Sequence, residues 1–178
     1  MLIYEALRND HNELKVLFSQ LMELSDDDVE QRHRLVELIR DGLIPHARAE
    51  ESVFYNSLRL MDNTKKIAMH SYREHLEAES LLRMLQVQDK THIKWRETAG
   101  KLRTAIEHHI YEEESQLFSV AQALFTNEEA VAMAEAFEKQ KQEIKDKGFM
   151  GTTLEMISNL MPPTVSDNFK NRDSNRHP

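Results

Sequence analysis

Apolar residues recur along most of this chain at steps of three and four, the spacing that gathers side chains on one face of an α-helix. Breakers cut the pattern into segments. The first stripe runs from Ile3 to Leu24 and stops at the Ser25-Asp26-Asp27-Asp28 turn, where Asp26 or Asp27 is expected to cap the next helix. A second spans Asp28 to Met61. Gly42 and Pro45 predict an interruption or kink within it, because proline cannot donate to the carbonyl four residues back. Asp62-Asn63-Thr64 closes that segment, a third spans Thr64 to Gln88, and a turn over Asp89 to Thr91 leads into a fourth, Thr91 to Phe125. Short connections make successive helices antiparallel neighbours, so the pattern predicts an all-α, up-down-up-down four-helix bundle over residues 1–125.

Thr126-Asn127-Glu128-Glu129 is a further helix start, opening a fifth helix that runs to Lys147, and Thr152 to Met161 is apolar enough for a short sixth. Residues 126–161 therefore read as a C-terminal helical extension. After Pro162-Pro163 the chain carries almost nothing apolar, and residues 162–178 have the composition of a disordered tail.

The pattern also repeats. His11 and His75 stand 64 residues apart, His46 and His109 stand 63 apart, and the residues around them correspond. His46-x-x-x-Glu50-Glu51, followed by Phe54-Tyr55, matches His109-x-x-x-Glu113-Glu114, followed by Leu117-Phe118. Asp10 and Glu74 precede the two lone histidines. One helical hairpin has been used twice, a twofold duplication and not a solenoid array.

Residues four apart stack on one helix face, so His46 with Glu50, and His109 with Glu113, each present a nitrogen and a carboxylate to one point. An isolated H-x-x-x-E is usually a surface pair, and a lone histidine such as His11 is usually a satisfied core residue. Here both pairs fall on apolar stripes: Leu102, Ile106, His109, Glu113 and Leu117 in one, and Leu35, Ile39, His46, Glu50 and Phe54 in the other. Carboxylates buried without a partner cost several kcal/mol each. Two metal ions held by His11, His46, Glu50, His75, His109 and Glu113 would compensate them. Imidazole with carboxylate suits iron, zinc, manganese or copper, and paired bridging carboxylates favour iron or manganese.

The other candidates read more plainly. Glu51 and Glu114 are expected on a solvated face or a helix contact, with a hydrogen bond to a ligand histidine as the sharper alternative. His33, His70 and His108 are expected on the outside, and Glu79 lies off the stripe. Tyr55 and Tyr111 are candidate donors to a metal-bound ligand.

Composition narrows the chemistry. With no cysteine, disulfides, thiolate-bound zinc and iron–sulfur clusters are excluded, and any metal must use nitrogen and oxygen ligands. The net charge of −8 and the lack of a basic patch argue against nucleic acid. No apolar run approaches the roughly 20 residues of a membrane span, and the N-terminus lacks a leader pattern, so a cytoplasmic protein with no membrane contact is expected.

The order of lone His, H-x-x-x-E, lone His, H-x-x-x-E over residues 1–125 resembles the hemerythrin-like proteins with the HHE cation-binding domain. That resemblance implies a non-haem centre of two iron ions per chain with an oxo or hydroxo bridge, zinc or manganese being substitutes. It also implies a small ligand (O2, peroxide or NO), with catalase- or peroxidase-like turnover or sensing as the two modes, and leaves room for a protein partner or homodimer. Oxygen-carrying members have a fifth histidine four residues before or after the position of His75. Here those positions are Ser71 and Glu79, which favours a coordinatively open, reactive or sensing centre over reversible carriage.

Overall fold

The computed structural model describes residues 1–60, 64–91 and 94–147. Helix α1 is Ile3–Glu23 and α2 is Val29–Glu50, continued by a π-helical turn, Glu51–Tyr55, and by α3, Asn56–Arg59. Helix α4 is Lys65–Thr91; α5, Trp95–Glu112, passes through a second π-helical turn, Glu113–Leu117, into α6, Phe118–Leu124; α7 is Asn127–Lys147.

Helix α1 packs on α2, α2 on α4, α4 on α5 and α5 back on α1, which closes the expected four-helix ring. Helix α7 is the fifth helix of the bundle, seated against α1 and α2. It starts with the reciprocal cap its sequence announces: Glu129 N–H donates to Thr126 Oγ1 at 3.2 Å, and Thr126 N–H donates to Glu129 Oε2 at 2.8 Å. The sixth segment, Thr152 to Met161, and the tail lie outside the described residues.

Three local expectations change. Helix α2 continues unbroken through Gly42 and Pro45. Gly42 serves close packing and not a break, since a Cβ there would come within 3.3 Å of Leu14 Cδ2 on α1. Neither Asp26 nor Asp27 caps α2; Asp28 stands at the N-cap, and its carboxylate turns back to Ser25 instead. Asp89, expected in a turn, is buried in the last turn of α4. There it accepts from Arg32 Nε at 2.7 Å and pairs with exposed His33 at 2.8 Å. That long-range partner, invisible to local periodicity, extends α4 past Gln88. Helix α5 then starts at Trp95, because Lys94 takes a left-handed conformation with φ of 56°.

The π turns answer a mismatch in the sequence. His46, Glu50, Phe54 and Leu58, and equally His109, Glu113, Leu117 and Ala121, are all buried and all four apart. Three steps of four make twelve residues, about 1.2 more than three turns of α-helix, a drift of roughly 120°. A π turn takes up one extra residue and brings the stripe back to the same face.

Two apolar layers fill the bundle. One gathers Ile3, Leu7, Phe54, Tyr55, Tyr72, Leu117, Phe118 and Phe137; the other gathers Leu14, Phe18, Leu35, Ile39, Leu82, Trp95, Leu102 and Ile106. Each fully buried aliphatic or aromatic side chain contributes roughly 1.5–3 kcal/mol. Along α1, α2, α4 and α5 a histidine falls between the layers, so a belt of polar groups is closed above and below by hydrocarbon.

Candidate metal centre

His11 comes from α1, His46 and Glu50 from α2, His75 from α4, His109 from α5 and Glu113 from the turn that follows it. All six are buried, none more than 4% exposed. The imidazoles form two pairs, His11 with His46 at 5.1 Å between ring centres and His75 with His109 at 4.6 Å. Glu50 lies between the pairs, its Oε2 3.5 Å from His46 Nε2 and 3.4 Å from His75 Nε2. Glu113 Oε2 lies 3.2 Å from His11 Nε2.

Every histidine is oriented by an acid on its outer nitrogen. His11 Nδ1 donates to Glu114 at 2.8 Å, His46 Nδ1 to Asp10 at 3.1 Å, His75 Nδ1 to Glu51 at 3.0 Å and His109 Nδ1 to Glu74 at 2.9 Å. The duplication explains the pattern. Asp10 and Glu74, before the lone histidines, hold the H-x-x-x-E histidines, while Glu51 and Glu114, after the arm glutamates, hold the lone ones. Glu51 is wholly buried and Glu114 partly so, which replaces the solvated-face expectation with hydrogen bonding to the inner histidines. The orienting role of Asp10 and Glu74 was missed in the sequence, and its signal was their recurrence at equivalent positions.

A proton on each Nδ1 leaves each Nε2 as a bare acceptor facing inward. The inner face is consequently lined by acceptors. His75 Nε2 and His109 Nε2 are 3.1 Å apart, and both Glu50 oxygens, Glu113 Oε2 and His11 Nε2 are buried without a hydrogen bond. Burial drives the Glu50 carboxyl well above its ordinary range and Glu113 adds to the shift. Burial also opposes ionisation of Glu113, but the adjacent Glu50 carboxyl and the His11 and His109 imidazoles outweigh it and hold that carboxyl well below the usual range. The same burial lowers His46 to about 4 and His75 in the same direction, while Glu113 and Glu114 raise His11 against it.

Tyr55 is buried beside the centre, its Oη 3.4 Å from both Glu113 Oε1 and His109 Nε2, and burial keeps it a phenol. Tyr111 is 69% exposed and takes no part. Glu79 turns away to Arg48 and Arg83, and His70, half exposed, pairs with Glu74 and Glu112, so neither faces the inner cluster. Ser71, at one of the two fifth-histidine positions, bonds to Ile67 O of its own helix.

Residues 2–121 match the family pattern described as Hemerythrin HHE cation binding domain. The chain belongs to this hemerythrin family. A cation-binding domain and a buried His/Glu cluster together suggest a metal ion in this hemerythrin bundle, with the donor set of nitrogens and oxygens suited to it. The hemerythrin chain is also similar to a curated protein named DNA nickase from Nostoc sp. strain PCC 7120, 26% identical over 150 residues that make up 83% of this chain. It spans about two fifths, 41%, of that relative's length. No solved structure matches the chain significantly. No helix among the described residues is long and apolar enough to cross a membrane.

Proposed function

We propose that His11, His46, Glu50, His75, His109 and Glu113 hold two iron ions, and that the centre binds or reacts with a small oxidant, O2, peroxide or NO, in defence against oxidative or nitrosative stress. The observation that carries this reading is the inward-facing set of acceptors, above all the two Nε2 atoms 3.1 Å apart, which repel one another unless a cation lies among them. Bound iron would supply an open coordination position and redox chemistry for such a ligand. Glu50, within 3.5 Å of one imidazole of each pair, would supply a carboxylate to the ions. The four outer acids fix the imidazole tautomers, the apolar layers exclude water, and Tyr55 holds a proton at Glu113 Oε1 that can be donated without solvent. With Ser71 and Glu79 at the fifth-histidine positions, nothing from α4 besides His75 reaches the centre, in keeping with reactivity over carriage.

Metal analysis of protein purified from its host, followed by optical spectra before and after peroxide, O2 and NO, tests the reading. Iron near two per chain and a spectral change with at least one of these ligands are expected. Zinc alone, less than one metal per chain, or inertness to all three would refute it.

Sensing without turnover has a specific observation in its favour. Lys141 of α7 donates to Asp10 at 2.8 Å, and the Phe137 ring meets the His46 ring edge-on at 5.7 Å, so α7 touches both His46 and the acid that orients it. The name of the Nostoc relative suggests DNA nicking as a third reading, against which the net charge of −8 weighs. Nicking of supercoiled plasmid by the metal-loaded protein would decide it.

A further inference from the structure

The two halves of the duplication agree at the centre and diverge around it. In the first half, Asp10 holds His46 with Oδ2, and the Lys141 ammonium lies 2.8 Å from its carboxylate. The positions flanking Asp10 are Ala6, Pro45 and Ala49, under α7. In the second half the counterpart of Asp10 is Glu74, which holds His109 with Oε2. The counterparts of the three apolar residues are His70, His108 and Glu112. Among the described residues the nearby lysine, Lys101 of α5, pairs with Glu97 and not with Glu74. The cation that α7 provides on one side is replaced on the other by two more H-x-x-x-E arms, His70 with Glu74 on α4 and His108 with Glu112 on α5.

We propose that His70, His108, Glu74 and Glu112 form a second, solvent-facing site for a single first-row divalent cation such as Zn2+, distinct from the buried centre and joined to it through Glu74. His70 Nε2 lies 3.1 Å from Glu112 Oε2 and 3.4 Å from Glu74 Oε1. His108 Nε2 lies 3.4 Å from Glu112 Oε1 and 4.0 Å from Glu74 Oε1. A tetrahedral zinc site with ligand bonds of about 2.0–2.2 Å has edges of roughly 3.3–3.6 Å. The imidazole-to-carboxylate separations bracket that value, and donor atoms of His70, Glu74 and Glu112 all lie within 4.8 Å of one another, while the exposed His108 ring has to turn inward to complete the shell. Both imidazoles are more than half exposed, so the cation enters from water without opening the bundle. Glu77 lines the groove beside Glu74 and His108 and adds negative potential to the approach, while Glu97 in the same groove is paired with Lys101 at 2.8 Å. Two imidazoles with two carboxylates is a donor set for zinc, copper or iron and not for calcium or magnesium.

The test is calorimetric titration of Zn2+ into the iron-loaded protein, side by side with His70→Ala/His108→Ala. One Zn2+ per wild-type chain is expected. The double variant removes both nitrogens from half-exposed positions, so folding is not at stake. Its affinity should fall beyond the roughly 10–100-fold that an outer partner of a metal ligand is worth. His33→Ala, on the far side of the chain's chemistry, should bind as wild type does. No Zn2+ uptake by the wild type, or equal uptake by the double variant, would overturn the proposal. If the buried centre takes no iron, the same comparison on metal-free protein still decides the point: the double variant must bind one Zn2+ fewer.

Discussion

Replacing Glu50 by Gln should make the metal-free protein more stable and the metal-bound protein less so. Glu50 is wholly buried and neither of its oxygens meets a donor. An unsatisfied buried polar group costs about 1–3 kcal/mol, and more if it carries charge. The amide keeps the shape, removes the cost of holding the buried carboxyl protonated at neutral pH, and lets its NH2 group donate to the facing acceptors, His46 Nε2, His75 Nε2 or Glu113. A gain of about 1–3 kcal/mol in the metal-free form is expected, which for a chain of this size raises Tm by roughly 2–10 °C. The cost falls on metal binding, where loss of the carboxylate that lies within 3.5 Å of both imidazole pairs removes most of the stabilisation that metal confers by mass action. Two thermal melts for each protein, one with chelator and one after iron loading, measure both signs. A lower Tm for the metal-free variant, or unchanged stabilisation by metal, would refute the reasoning that Glu50 is there for a cation and not for the fold.

The outer acids should rank by burial. Glu51→Gln leaves Arg48 and His75 Nδ1 facing an amide in a dry interior, and is expected to weaken metal binding about 10–100-fold in chelator competition. Glu114→Gln, whose side chain is 27% exposed, should cost less, since water can replace it. Glu79 should shape the acid limb of stability. Burial opposes its ionisation, but Arg48 and Arg83 hold its carboxyl below the ordinary range. Its contribution is therefore present above the unfolded carboxyl value and lost as pH falls through the lower, folded one. In urea denaturation at a series of pH values, Glu79→Gln should be less stable at neutral pH and lose less further stability below about pH 4.5.

Periodicity and spacing carry the fold far, because four long stripes joined by short polar turns leave few other arrangements, and a doubled H plus H-x-x-x-E has no use for its burial except a cation. What they do not carry is anything decided across helices. Asp89 reads as a turn residue until Arg32, 57 residues earlier, is known to meet it. The inward aim of Glu51 and Glu114 depends on which neighbouring histidine each one reaches, and the roles of Asp10 and Glu74 on the helix beyond. Glu79 was ambiguous because position alone does not reveal Arg48 as its partner. The π turns stand between these cases: the run of four-residue steps is in the sequence, but it takes the burial of all eight positions to exclude ordinary helical drift.

Those two turns also bear on time. The wide i-to-i+5 hydrogen bonds of Glu51–Tyr55 and Glu113–Leu117 are the least regular backbone in the bundle, and each directly adjoins or includes an arm glutamate. Local opening should begin there, so backbone amides in these turns should exchange with solvent deuterium sooner than those of the flanking helices, although they lie beside the best-packed layer of the core. On the proposed metal reading, α2 and α5 would open beside the carboxylates of Glu50 and Glu113, where an ion would pass, ahead of the histidines one turn upstream.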